Sequence, residues 1–131
     1  MEKNMQKTAL EKLIATDKEL RDFGFQWPGL DMILWQISSE LAEVKEVIEQ
    51  DTGKDHLQEE IGDLLHSVIS LCLFTGLDID ETIEKAGDKL QSRAGGLKSV
   101  AKQRGHSSLK GQDSEYMLKL WYEAKRNCNN E

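Results

Sequence analysis

With 131 residues, 38% of them hydrophobic and 31% charged, the chain has the length of one domain and is too apolar to be disordered. A net charge of −7 argues against a general nucleic-acid binder, which carries a basic excess, yet leaves room for a local cation site. Two cysteines, Cys72 and Cys128, without C-x-x-C spacing exclude a disulfide framework and a zinc knuckle and suit a reducing cytoplasm.

The charged start, MEKNMQKTALEKL, lacks the apolar stretch of a signal peptide. The longest apolar run, near 68–74, is too short to span a bilayer, so a cytoplasmic protein with no membrane partner is expected. Apolar spacing is helical almost throughout, with a single proline, Pro28. A first helix is expected over about 8–21, with Leu10, Leu13, Ile14 and Leu20 inward. The segment FGFQWPG interrupts it, because Pro28 disfavours helical geometry at Trp27. A second helix over about 31–50 carries Leu34, Ile37, Leu41, Val44 and Ile48 at the 3-4 spacing of a bundle seam. DTGKD is a turn. A third helix over about 55–75 repeats that spacing through Leu57, Ile61, Leu64, Val68 and Leu71, and its apolar C-terminal half marks it as the central, most buried helix.

Gly76 is the expected stop of the third helix, and Asp78 with Glu81 resembles a capping pair for a fourth over about 80–93. Residues 94–112, rich in Gly, Ser, Lys and Arg, read as a basic loop. A last helix over about 113–126, capped by Asp113 or Ser114, carries Met117, Leu120, Trp121 and Ala124. The expected fold is all-α, a helical bundle in a single domain.

Two acid pairs stand out. Glu40-Leu41-Ala42-Glu43-Val44 and Glu60-Ile61-Gly62-Asp63-Leu64 both read acid, apolar, small, acid, apolar. Residues three apart share a helix face, so each pair is one patch of charge flanking the apolar stripe. If the two helices pack antiparallel, four carboxylates gather, and unpaired they would repel until some protonate. A hard divalent cation relieves this: Mg²⁺ takes oxygen ligands and bridges carboxylates to phosphates. No histidine or cysteine repeats at matched spacing, which argues against zinc. Spacing alone equally admits a solvated acidic rim on a non-enzymatic helical interaction module. A di-iron carboxylate bundle needs two E-x-x-H motifs, and Asp63-x-x-His66 is the nearest approach.

The two pairs resemble those of the MazG nucleotide pyrophosphohydrolases, within the all-α NTP pyrophosphatase superfamily. The Trp27-Pro28 turn is similar to the family's W-D/W-P segment, Lys89 and Arg93 to its K-x-x-x-R element, and MLKLWYEAK to a C-terminal LWEEAK. The likeness runs over about 23–126, with a weaker fit at 94–112, and suggests a short single-domain member. It implies a four-helix core completed by oligomerisation, as a dimer or tetramer, and Mg²⁺-dependent hydrolysis of a (d)NTP to (d)NMP and pyrophosphate by metal-activated water. By the same resemblance, Glu40, Glu43, Glu60 and Asp63 would bind Mg²⁺, with Mn²⁺ as a substitute. Lys89, Arg93 and Lys125 would contact phosphates, and Trp121 would help form the nucleotide pocket.

The sequence departs from the family at Ser39, where many members have a further Glu, and at His66, usually apolar or aromatic. Glu59 is the candidate general base in place of the missing carboxylate, or a solvated flank. His66 reads as pocket lining or as a satisfied core histidine, and Trp27 as a lid or a hydrophobic staple. His56 and His106 read as surface residues, and Trp35 as core. Residues 89–112 hold six Lys/Arg and no acid, a composition that suits a metal–triphosphate complex. Lys98, Lys102, Arg104 and Lys110 of that run read as a solvated loop.

Overall fold

Thr8 starts the first helix for a local reason: its hydroxyl accepts the Glu11 N–H at 3.1 Å while the Glu11 carboxylate accepts the Thr8 N–H at 2.9 Å. This reciprocal pair satisfies two donors that a helix start leaves without partners. In the computed structural model, which describes residues 7–129, α1 spans Ala9–Phe23, α2 Leu30–Gln50, α3 Lys54–Phe74, α4 Ile79–Gln103 and α5 Ser114–Asn129. The start at 1–6, read above as charged and signal-free, lies outside the described residues. No strand occurs among the described residues, and the fold is all-α.

By contacts the chain forms two compact units, Met1–Ile79 and Asp80–Glu131. In the first, α2 and α3 form a helical hairpin across a three-residue turn, and α1 packs on α3. The turn works because Asp51 closes α2 in the left-handed region at φ 52°, a conformation that Asp tolerates better than most residues.

The buried face of α2 differs from the expected seam. Ile33, Val44 and Val47 are buried, whereas Leu34, Leu41 and Ile48 are 46%, 55% and 60% exposed. The contact line through α2 is Ile33, Ile37, Glu40, Val44 and Val47, again at 4-3-4-3 spacing but turned toward the acids. The same happens on α3. Leu57, Glu60, Leu64, Ser67 and Leu71 are buried or half-buried, while Ile61, Leu65 and Val68 stand about half exposed. The apolar half of α3 is therefore not central, because α1 and α2 cover only part of its circumference. Leu20 and Trp35 also lie outside the core, at 40% and 62% exposure. Trp35 stands two residues from Ile33, a step that carries it about 200° round the helix, away from the packed face.

In the second unit, Val100 and Ala101 of α4 and Leu120 and Ala124 of α5 are buried. These contacts extend α4 to Gln103, ten residues beyond the expected end, so much of the expected basic loop is helix. Gly95 and Gly96 each weaken a helix by roughly 1 kcal/mol, but Gly96 is where α5 comes closest. A Cβ there would stand 3.5 Å from both Ala124 Cβ and Cys128 Sγ. The stop comes at Gly105, whose φ of 84° lets the His106 N–H reach back to the Ala101 carbonyl at 2.9 Å. Gly76 ends α3 in the same way, as its position predicted, with Leu77 N–H bonded to Cys72 O at 3.0 Å. Asp113 caps α5 by accepting the Tyr116 N–H at 3.1 Å.

Ile33 and Leu120 are fully buried, one in each unit. Truncating either to alanine is expected to cost about 2–5 kcal/mol of unfolding free energy, from lost transfer energy plus the cavity left behind. Urea denaturation followed by helical circular dichroism measures it.

Candidate functional site

The turned seam brings acids inside. Glu40 on α2 and Glu60 on α3 both occupy contact positions, and Asp63 lies one turn further along α3. One carboxylate oxygen from each of the three lies within 4.8 Å of the other two. Glu43, the fourth predicted member, is exposed at the rim and interacts with both Glu40 and Glu60. Glu59 points to solvent and is outside this three-residue group.

The surroundings only partly satisfy these groups. Glu40 Oε1 accepts from Gln36 Nε2 at 2.6 Å, and Glu60 Oε1 lies 3.4 Å from His56 Nε2. The other oxygen of each, Oε2, is buried without a hydrogen-bond partner. Burial above all, then the charge of Glu43, pushes the Glu40 carboxyl above the ordinary range, with Asp63 adding to the rise and the Gln36 bond opposing it. Glu60 is raised first by burial, then by the adjacent Glu43 carboxylate, then by the charge of Asp63; His56 opposes the rise. An all-oxygen donor set with two orphaned buried oxygens fits a hard divalent cation, which would supply the missing partner.

His56, read from the sequence as a plain surface residue, is tied to this cluster. Thr52 Oγ1 lies 2.7 Å from its Nδ1, which fixes the ring with Nε2 toward Glu60. Its position four residues before Glu60, on the same helix face, was the available signal.

A second polar group lies where α1 meets α3. His66 and Trp27, the two further pocket candidates, line one small cavity together with Asp17 and Ser70, which sequence reasoning missed. Asp17 continues the apolar spacing of Leu10, Leu13 and Ile14, and a carboxylate at such a position signals a buried site.

The remaining candidates belong to the second unit. Lys89 is exposed on α4, and Arg93 is half-buried with Nε unpartnered. Trp121 and Lys125 are half-buried on α5, with Lys125 Nζ 5.9 Å from the Tyr122 ring centre. Of the basic run read as a solvated loop, Arg104 instead pairs with Glu123 at 2.7 Å. His106, also read as a surface residue, bonds Tyr116 Oη at 2.9 Å and stacks edge-on against its ring. Lys98 and Lys102 line an open cleft of about 730 Å³ with His106.

Residues 30–96, which hold both acid pairs, Lys89 and Arg93, match the MazG nucleotide pyrophosphohydrolase domain. The chain belongs to the MazG family. It is 28% identical over 119 residues to a nucleoside triphosphate pyrophosphohydrolase of Escherichia coli strain K12, covering 90% of this chain and 45% of that protein. It is 36% identical over 72 residues to the nucleoside triphosphate pyrophosphohydrolase/pyrophosphatase MazG of Thermotoga maritima, covering 53% of this chain and 26% of that protein. The chain thus spans less than half the length of these relatives.

The raised carboxyls have a thermodynamic consequence. Glu40 and Glu60 bind protons more tightly folded than unfolded, so their contribution to stability is present below the ordinary carboxyl value of 4.5 and is lost as pH rises through their raised folded values. In metal-free solution the melting temperature is expected to fall from about pH 4.5 toward neutrality on their account. Glu60→Gln should flatten that slope, and thermal melts in a chelator across this range check it.

Proposed function

We propose that this MazG-family chain hydrolyses nucleoside triphosphates to the monophosphate and pyrophosphate, with a divalent cation held by Glu40, Glu43, Glu60 and Asp63. The observation that carries the reading is the pair of buried, unpartnered oxygens, Glu40 Oε2 and Glu60 Oε2, in the α2–α3 contact. Such oxygens are costly unless something positive meets them. The names carried by the relatives point to the same chemistry.

Mg²⁺, with Mn²⁺ as a substitute, would neutralise triphosphate charge and make a bound water more acidic. The protein's own part is to fix the carboxylates. Gln36 holds one oxygen of Glu40, His56 faces one oxygen of Glu60, and the α2–α3 packing keeps the other two oxygens out of bulk water. Gly62, between Glu60 and Asp63, has open space where a side chain would start, so a ligand can approach the backbone there. Arg93, with its unpartnered Nε, and Lys89 four residues before it suit contacts to phosphate oxygens. Trp121 and Lys125 take the roles their resemblance to the family's C-terminal segment implies. Glu59 is the candidate to accept the proton of the attacking water, in place of the carboxylate absent at Ser39. No single helix among the described residues is long and apolar enough to cross a membrane.

The exposed half of the apolar stripe supports self-association. Leu34, Leu41 and Ile48 repeat every seven residues on α2, and Ile61, Leu65 and Val68 extend the patch on α3. A second copy of the chain would bury this face and complete a four-helix core.

Pyrophosphate release from NTPs is expected to require Mg²⁺. Glu60→Gln and Asp63→Asn should each lower kcat/KM by about 100-fold or more, the scale of losing one preorganised electrostatic contact. Equal turnover with and without chelator would overturn the reading in favour of an interaction module. Light scattering tests the assembly separately: the wild type should run as a dimer or tetramer, and Leu41→Glu with Leu65→Glu should shift it to monomer.

A further inference from the structure

The small cavity between α1 and α3 is built around a charge. Asp17 is only 7% exposed. Its Oδ2 accepts from Ser70 Oγ at 2.5 Å and lies 2.8 Å from His66 Nε2. Its Oδ1 faces Arg21 Nε at 3.4 Å, and that nitrogen is buried without a hydrogen-bond partner. An aliphatic side chain would fill the same place more cheaply, so four convergent polar residues in a largely apolar cavity point to a ligand. With Trp27 and Phe25 they line a space of about 120 Å³. That is well below the roughly 300–1,000 Å³ of a site enclosing a drug-sized ligand, so one flat ring fits and a whole nucleotide does not.

The cavity is in register with the acid cluster. Ser70 stands seven residues after Asp63, two turns along the same face of α3. At 1.5 Å per residue the two are about 10 Å apart along the axis. A triphosphate held near Asp63 would reach the cavity with its sugar lying between.

We propose that Asp17, His66 and Ser70 read the nucleobase, and that they select cytosine over uracil. The inference rests on the nucleotide-hydrolase reading above. The size of the cavity favours a single ring, for which Trp27 and Phe25 offer aromatic faces. Cytosine and uracil then differ at one edge: cytosine carries an exocyclic amine where uracil carries a carbonyl. With Nε2–H given to Asp17, His66 leaves Oδ1 of that carboxylate with lone pairs to spare. An amine donates to them. A carbonyl sets acceptor against acceptor at Oδ1 and loses that bond.

Steady-state kcat/KM for CTP and UTP with Mg²⁺ tests this on the full chain and on Asp17→Asn. The asparagine keeps an oxygen for Ser70 and His66 but adds an N–H₂ donor that suits a carbonyl. The wild type should favour CTP by tenfold or more, and Asp17→Asn should bring the ratio to unity or reverse it. Calorimetric binding of CMP and UMP to the wild type is the second arm, which needs neither turnover nor a folded variant, and CMP should bind tenfold tighter or more. Turnover without base preference, or an Asp17→Asn variant that lowers CTP and UTP alike, overturns the base assignment and leaves the hydrolase reading standing. No turnover of any nucleotide, with CMP still bound more tightly than UMP, overturns the hydrolase reading and leaves base recognition standing. Equal binding of CMP and UMP overturns the inference outright.

Discussion

Two carboxylates in a helix–helix seam govern the rest of this molecule. Glu40 and Glu60 occupy contact positions on α2 and α3 that a simple bundle would fill with leucine. Each brings a buried oxygen with no partner, and their like charges face one another with Glu43 and Asp63 nearby. The protein alone does not balance that arrangement, since Gln36 and His56 meet one oxygen apiece and leave the other two without a partner. Stability and chemistry are therefore coupled at this spot. The buried oxygens that leave the hairpin without balance are the ones that would hold a cation under the proposed function.

The same rotation of the seam decides what is left outside. Turning α2 until Glu40 faces α3 moves Leu34, Leu41 and Ile48 off the contact line, and turning α3 until Glu60 faces α2 does the same to Ile61, Leu65 and Val68. A helix has only so much circumference, and each acid admitted to the seam displaces an apolar neighbour. The exposed patch is thus a consequence of the site rather than a separate feature.

This also explains what the sequence could and could not disclose. The helices of the first unit were legible, each end falling within two residues of its expected place, because capping residues and 3-4 spacing act locally. The acid pairs were legible as pairs because E-x-x-E and E-x-x-D share a helix face at any rotation. The rotation itself was not. Apolar residues outnumber the positions one partner can cover, so Leu41 and Val44 look equally buried until the facing helix is in place. The extent of α4 was hidden for a related reason. Gly95, Gly96 and the lysines argue locally against a helix, and the burial of Val100 and Ala101 that overrides them is a tertiary effect. Asp17 was missed through reading charge as surface, although its spacing from Leu13 and Ile14 placed it on the buried side.

α3 is where these demands meet, and its sequence divides its circumference among them. One side, through Leu57, Glu60, Leu64, Ser67 and Leu71, meets α2 and carries an acid. A second side, through His66 and Ser70, meets Asp17 of α1. The third, through Ile61, Leu65 and Val68, is left open and apolar. A helix used on every side has few positions given to packing alone, and Ile69 is the one buried hydrophobic residue of α3. With so little apolar burial of its own, α3 draws cohesion from the Asp17 network toward α1, and under the proposed function a cation between the carboxylates and a second copy over the open face would add to it. Each of those three also belongs to the proposed nucleotide chemistry, so loosening the fold and disabling the site are expected to go together.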